Sequence, residues 1–287
     1  MRRQLYEHGE IRVGCGSFDL GFVHGSLYTG FGPRTQDKDT NQDYALAWWP
    51  HSDKSGTRVR FALALADGVT DSYRAEWGAA LACWAALRDL SQANNSDEAT
   101  AVGERAFVAA GNAIADLANE LARDPRASCP EGQFLSTWRY MLLNGRLLET
   151  TLSLLWVEDE RLCLAIVGDA GALWRVHDSS PSDQGRVLAQ CDLATSVVRA
   201  LGPRCPTVVP FDCWGEESLS DGFLCTLFTD GIGRSLGTDP LMILDDLDKL
   251  EAAAVPNQAH SYIEQALADR PEQFDDNVTL AIVRGKL

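Results

Sequence analysis

The chain has 287 residues, of which 45% are hydrophobic and 23% charged. That is enough apolar material for a sizeable core, and it excludes a disordered or fibrous chain. The net charge is -16, from 25 basic and 41 acidic residues. Nucleic-acid binding rests on neutralising phosphates with Lys and Arg, so no nucleic-acid partner is expected.

No apolar run reaches the roughly 18–20 residues of a membrane span. The opening Met1–Glu10 stretch has no apolar core of the kind a secretory signal needs. The expectation is a cytoplasmic protein with no membrane partner. The eight cysteines are irregularly spaced with no C-x-x-C pair, which reads as free thiols packed as small apolar side chains. The five histidines show no paired metal spacing, and no G-x-S-x-G turn anchors a serine hydrolase.

In chain order, residues 1–33 are Gly-rich with aromatics and predict one or two short strands. A polar stretch, Thr35 to Asp43, precedes the apolar run Tyr44–Trp49. Its Asp37-x-Asp39-x-Asn41-x-Asp43 spacing begins like a calcium loop. The Gly and Glu that such a loop requires are replaced by Gln42 and Trp48. Arg58–Ala66 reads as a buried strand that stops at Asp67-Gly68.

Ala75–Leu90 predicts an apolar helix. Val102, Ala106, Ala109, Ala113, Leu117 and Leu121 predict a second, amphipathic one. Residues 91–98 and 123–133 read as loops. Thr151–Val157 and Leu162–Val167 flank the polar Glu158–Arg161 and predict a hairpin. Ala172–Val176 is another strand, followed by a polar excursion over 177–190. Phe223–Phe228 is a strand ending at Thr229-Asp230-Gly231, residues 240–268 are helical, and Asn277–Val283 is the last strand. Hairpin connections dominate. The reading is α+β, with mainly antiparallel sheets and helices outside, in one domain over 1–287.

One pattern recurs. Apolar strands meet an aspartate, usually beside glycine: Asp67-Gly68, Gly168-Asp169, Asp230-Gly231, and, before a strand, Asp43 and Asp275-Asp276. Glycine permits tight turns and close backbone approach. Several carboxylates on one rim cannot all stay ionised without a cation, and oxygen-only ligation suits Mg²⁺ or Mn²⁺.

The ordered set Asn41-Gln-Asp43, Ala66-Asp-Gly68, Thr150-Thr151, Val167-Gly-Asp169, Ser196-Val-Val-Arg-Ala-Leu-Gly202, Thr229-Asp-Gly231 and Asp275-Asp-Asn-Val-Thr279 resembles the metal-dependent serine/threonine protein phosphatases of type 2C, the PPM family, in bacterial form. The resemblance spans residues 15 to 285. It implies a four-layer α-β-β-α sandwich of two mainly antiparallel sheets flanked by helices. It also implies two Mn²⁺ or Mg²⁺ ions, with a third, weaker site in bacterial members. Carried over, Asp67 bridges both ions, the Gly68 carbonyl helps bind one, Asp230 and Asp276 complete the other, and Asp43 lies near the second. Asp169 and Asp230 match the third site.

The implied activity is hydrolysis of phosphoserine and phosphothreonine by metal-activated water, on a phosphorylated protein substrate and in opposition to a Ser/Thr kinase. The alternatives are a catalytically weak module that binds a phosphoprotein or kinase, and hydrolysis of small phosphate esters. Three positions depart from the family. Lys38 stands where it has a phosphate-gripping Arg, with Arg34 as the nearby candidate for that role. Val69-Thr70-Asp71 lacks two glycines, and Glu149 replaces a Gly.

Overall fold

The computed structural model describes residues 5–7, 9–31, 40–51, 57–69, 72–94, 97–159, 161–176, 186–189, 200–203, 212–218, 222–233, 241–271, 274 and 276–285. Among them two six-stranded sheets form, with every pairing between neighbouring strands antiparallel. One contains β1 (Gly9–Val13), β4 (Tyr44–Pro50), β5 (Val59–Ala66), β6 (Leu152–Glu158), β7 (Arg161–Val167) and β10 (Cys213–Ser218), in that order. The other is ordered β2 (Gly16–Asp19), β3 (Val23–Gly30), β12 (Val278–Gly285), β11 (Phe223–Phe228), β8 (Gly171–Val176) and β9 (Arg186–Ala189).

The helices are α1 (Ala75–Leu90), α2 (Ala99–Arg123), α3 (Leu135–Asn144), the single turn α4 (Asp230–Gly233), α5 (Met242–Ala252) and α6 (Gln258–Asp269). None of the described helices is long and apolar enough to cross a membrane.

Side-chain alternation in the strands builds the layers. Successive residues of a strand point to opposite faces, and these strands are apolar on both. In β5, Phe61, Leu63 and Leu65 join Leu155, Ile166, Leu227 and Val283 in the core between the sheets. Ala62, Ala64 and Ala66 face the other way, into a core made with α1 and α2 through Ala79, Ala82, Cys83, Ala86 and Phe107. The second sheet behaves alike: Leu224, Phe228, Leu280 and Ile282 pack beneath Ile243, Leu247 and Ile263 of α5 and α6. Four layers, helix–sheet–sheet–helix, follow from that alternation.

Three strands, not one or two, occupy residues 9–30, and 186–189 add an edge strand inside the expected excursion. The helical region after 240 is two helices, broken where Ala254 takes a left-handed conformation (φ 54°) two residues before Pro256. The hairpin between β6 and β7 closes tightly, with Glu158 paired to Arg161 and Asp159 at φ 49°. Cys83, Cys163 and Cys225 are buried free thiols whose pKa burial pushes up.

At the hairpin end, the buried Glu158 accepts from Arg58 and Arg161 through one oxygen, Oε1, each at 2.7 Å, and from Trp156 Nε1 at 3.3 Å. Arg58 also donates to the Asp97 carbonyl. Removing Arg58 would strip the buried Glu158 carboxylate of one of its two cations and leave Arg161, itself partly exposed, to hold it. Arg58→Ala is therefore expected to destabilise the fold by about 3 kcal/mol, read as a lowered urea midpoint at unchanged slope.

Candidate metal centre

The strand ends of both sheets meet at one rim of the sandwich. β5 ends at Asp67, and its backbone is pinned on both sides. The Asp67 amide donates to Thr151 Oγ1 at 3.0 Å, while Thr150 Oγ1 and the Thr151 amide each donate to its carbonyl at 2.8 Å. The paired threonines thus hold the loop that carries the acid. Thr150 also exchanges two backbone hydrogen bonds with Leu201, which brings Leu201-Gly202 to the same rim. Gly68 is required sterically: a Cβ there would lie 2.7 Å from Ala75 Cβ and 2.9 Å from its carbonyl carbon. The first turn of α1 rests on that glycine.

On the second sheet, β11 ends at Thr229-Asp230-Gly231 and β12 begins at Val278. A Cβ on Gly231 would sit 1.9 Å from the Asn277 carbonyl oxygen. The two segments are also tied by the Thr229 amide to the Thr279 carbonyl and by the Thr279 amide to Thr229 Oγ1, both 3.1 Å. Asp230 and Asp276 are thereby held side by side in the chain path. Asp43, just before β4, reaches across. Its Oδ2 accepts from Thr229 Oγ1 at 2.9 Å and from Thr279 Oγ1 at 2.8 Å. Its own amide donates to Asn41 Oδ1 at 2.9 Å.

The electrostatics follow from this placement. Burial pushes the Asp43 carboxyl up to about 7; a hydrogen bond with Asp67 and the hydroxyls of Thr279 and Thr229 pull it down, and the charge of Asp230 raises it further. Asp67 is held well above the usual carboxylate range by burial, then by the charges of Asp43 and Asp230, its hydrogen bond with Asp43, and the charge of Asp276. Four of the predicted acids therefore share one field. Asp169 lies between β7 and β8 and is not among the charges acting most on Asp43 or Asp67. Lys38, Arg34, Asp71, Asp275 and Ser196–Arg199 lie outside the described residues.

Two observations fit a hard divalent cation here. Asp43 Oδ1 is buried, and no N–H or hydroxyl donor among the described residues reaches it; the carboxyl is set against the acid of Asp67 instead. The donors at the rim are oxygens, the set that Mg²⁺ and Mn²⁺ take. Among the described residues, no three acidic, His or Cys side chains are already gathered closely enough to hold an ion. Sequence reasoning quoted Thr229 and Thr279 within their motifs but gave them no role. The signal was a hydroxyl at an otherwise apolar strand end.

A four-layer sandwich with acids on the rim between its sheets defines a class, and the comparisons agree with it. A family model described as protein phosphatase 2C matches residues 33–190, more than half of the chain. The chain belongs to that family. No curated protein sequence matches it. Among solved structures, the Mycobacterium tuberculosis serine/threonine phosphatase PstP/Ppp aligns with a TM-score of 0.60 at 20% identity, over 93% of this chain and 100% of that one.

The PstP catalytic domain in complex with two manganese ions gives 0.58 at 21% identity, over 91% and 97%. PppA, a regulatory component of T6SS in Pseudomonas aeruginosa, gives 0.58 at 15%, over 92% and 98%. At these identities the likeness is one of fold.

The hydroxyls on Asp43 generate a prediction. Thr279→Val removes one donor at nearly constant volume. It is expected to weaken Mn²⁺ binding by about 10- to 100-fold, the usual effect of losing a group that orients a ligand, as measured by calorimetric titration.

Proposed function

We propose that the protein is a metal-dependent phosphoprotein phosphatase acting on phosphoserine and phosphothreonine, built as one domain over 1–287. The observation that carries the reading is the shared field of Asp43, Asp67, Asp230 and Asp276 on the inter-sheet rim. In this reading Asp67 would help hold two ions, the Gly68 carbonyl one of them and Asp230 with Asp276 the other, with Asp43 near the second and Asp169 with Asp230 at a third site. Bound Mn²⁺ or Mg²⁺ would activate water at neutral pH and offset phosphoryl charge.

The chain's own part is positional. Thr150 and Thr151 fix the Asp67 backbone, so its carboxylate is presented without rearrangement. Thr229 and Thr279 occupy one oxygen of Asp43 and leave the other for the rim. Lys38 and Arg34 supply the positive charge that grips the substrate phosphate. Lys offers charge without the planar fork of Arg. A Ser/Thr kinase is the implied opposing partner, and the cytoplasm the implied compartment.

Hydrolysis of p-nitrophenyl phosphate that needs Mn²⁺ and stops with EDTA is the expected result. Its absence at saturating Mn²⁺ would favour a module that only binds phosphoproteins. Asp67→Asn is expected to cut kcat/KM by about 100-fold or more and to lower Mn²⁺ affinity by titration, with an unchanged circular dichroism spectrum. Lys38→Ala should raise KM about tenfold with a smaller change in kcat, while Lys38→Arg keeps or improves activity. Steady-state kinetics of the two variants decide whether Lys38 touches phosphate.

A further inference from the structure

Residues 123–146 run against the charge of the chain. They hold four arginines, Arg123, Arg126, Arg139 and Arg146, against two acids, Asp124 and Glu131, in a protein of net charge -16. All four arginines are exposed, and among the described residues none pairs with a carboxylate. Between them lies α3, anchored by one buried side chain, Trp138. Its opposite face, Ser136, Arg139, Tyr140 and Leu143, follows the i, i+3, i+4, i+7 spacing of a single helical stripe and is exposed throughout. Tyr140 is 61% exposed, Leu143 80%, and Phe134, just before the helix, 79%. Single exposed apolar residues are ordinary, but three large ones interleaved with exposed arginines have the composition of an interface.

This surface is wired to the acidic rim. The Trp138 ring meets Tyr73 edge-on at 5.3 Å. The Tyr73 amide donates to the Arg146 carbonyl at 3.3 Å, the Leu148 amide to the Tyr73 carbonyl at 2.9 Å, and the Val69 amide to the Glu149 carbonyl at 3.0 Å. Residues 146–149 are therefore laced to the segment that leaves Asp67-Gly68.

We infer that the α3 face is a docking surface for an acidic segment of the phosphoprotein substrate, one that carries apolar anchors between its carboxylates. The inference rests on the phosphatase reading for the identity of the partner. The charge chooses the occupant: exposed arginines beside Phe134, Tyr140 and Leu143 match carboxylates set between apolar side chains. A second copy of this chain fits poorly, because an isologous contact would set the same arginines against each other. Docking here holds a substrate beside the rim without touching the reacting atoms. It therefore acts on KM and leaves small substrates unaffected.

The test uses the full chain and a short fluorescein-labelled peptide of alternating Asp or Glu and Leu or Phe, without phosphate, followed by anisotropy. Saturable binding is expected, weakening as salt rises from about 50 to about 300 mM. A counterpart with Lys for every acid should not bind. Arg139→Glu and Leu143→Ser, both at exposed positions, should each weaken binding by about tenfold. p-Nitrophenyl phosphate turnover should match wild type in both. With the phosphorylated peptide as substrate, KM should rise and kcat hold.

Anisotropy that never saturates, or equal binding by both variants, overturns the proposal. So does a concentration-dependent dimer in sedimentation that Leu143→Ser abolishes, since the occupant would then be a second copy. Peptide binding in a protein that hydrolyses no phosphate ester would remove the phosphatase reading and leave the docking surface standing.

Discussion

Asp43 belongs to one sheet and is held by hydroxyls of the other. Thr229 and Thr279 both donate to its Oδ2, so the end of β11 and the start of β12 are fixed against the start of β4. The rim depends on this contact. It sets the distance between the sheets where the acids gather, and it consumes one carboxylate oxygen so that the other stays buried and left to the acids of the rim. Burying a carboxylate costs several kcal/mol unless it is hydrogen-bonded or neutralised. The fold accepts that cost at the one place where a cation can offset it.

The remaining parts of the rim answer to the same geometry. Gly68 and Gly231 stand where a methyl group would strike a neighbouring backbone, and each lets a following element close on the acid before it. The threonine pair on Asp67 does for the first sheet what Thr229 and Thr279 do for the second. Acids, glycines and hydroxyls thus form a single device: carboxylates to bind charge, glycines to bring backbones close, hydroxyls to stop the carboxylates turning.

Much of this was legible before any coordinates. Strands buried on both faces are continuous apolar runs, so β5, β6, β7, β11 and β12 were read within a residue or two, and α1 at its observed bounds. Edge strands were harder. β1 and β10 are half exposed and carry Glu10, Arg12, Glu216 and Glu217, which blurs any period. Helix α3 was missed because it buries only Trp138 and so shows no apolar stripe. The acids of the rim stood out because each interrupts an apolar strand beside glycine. The hydroxyls of Thr229 and Thr279 did not, since threonine is common in strands and only a partner more than a hundred residues away reveals their use.

The placement of β3 has a consequence for how the chain assembles. β3 runs over residues 23–30, yet it is hydrogen-bonded along its whole length to β12, residues 278–285. On a ribosome, the early strand waits for a partner made about 250 residues later to emerge. Until then it offers buried-type side chains, Val23 and Leu27, on an open hydrogen-bonding edge paired only by the short β2. Such long-range closure slows folding and leaves an edge open to foreign strands. The second sheet, and with it one half of the rim, is therefore complete only once residues 278–285 are available to pair.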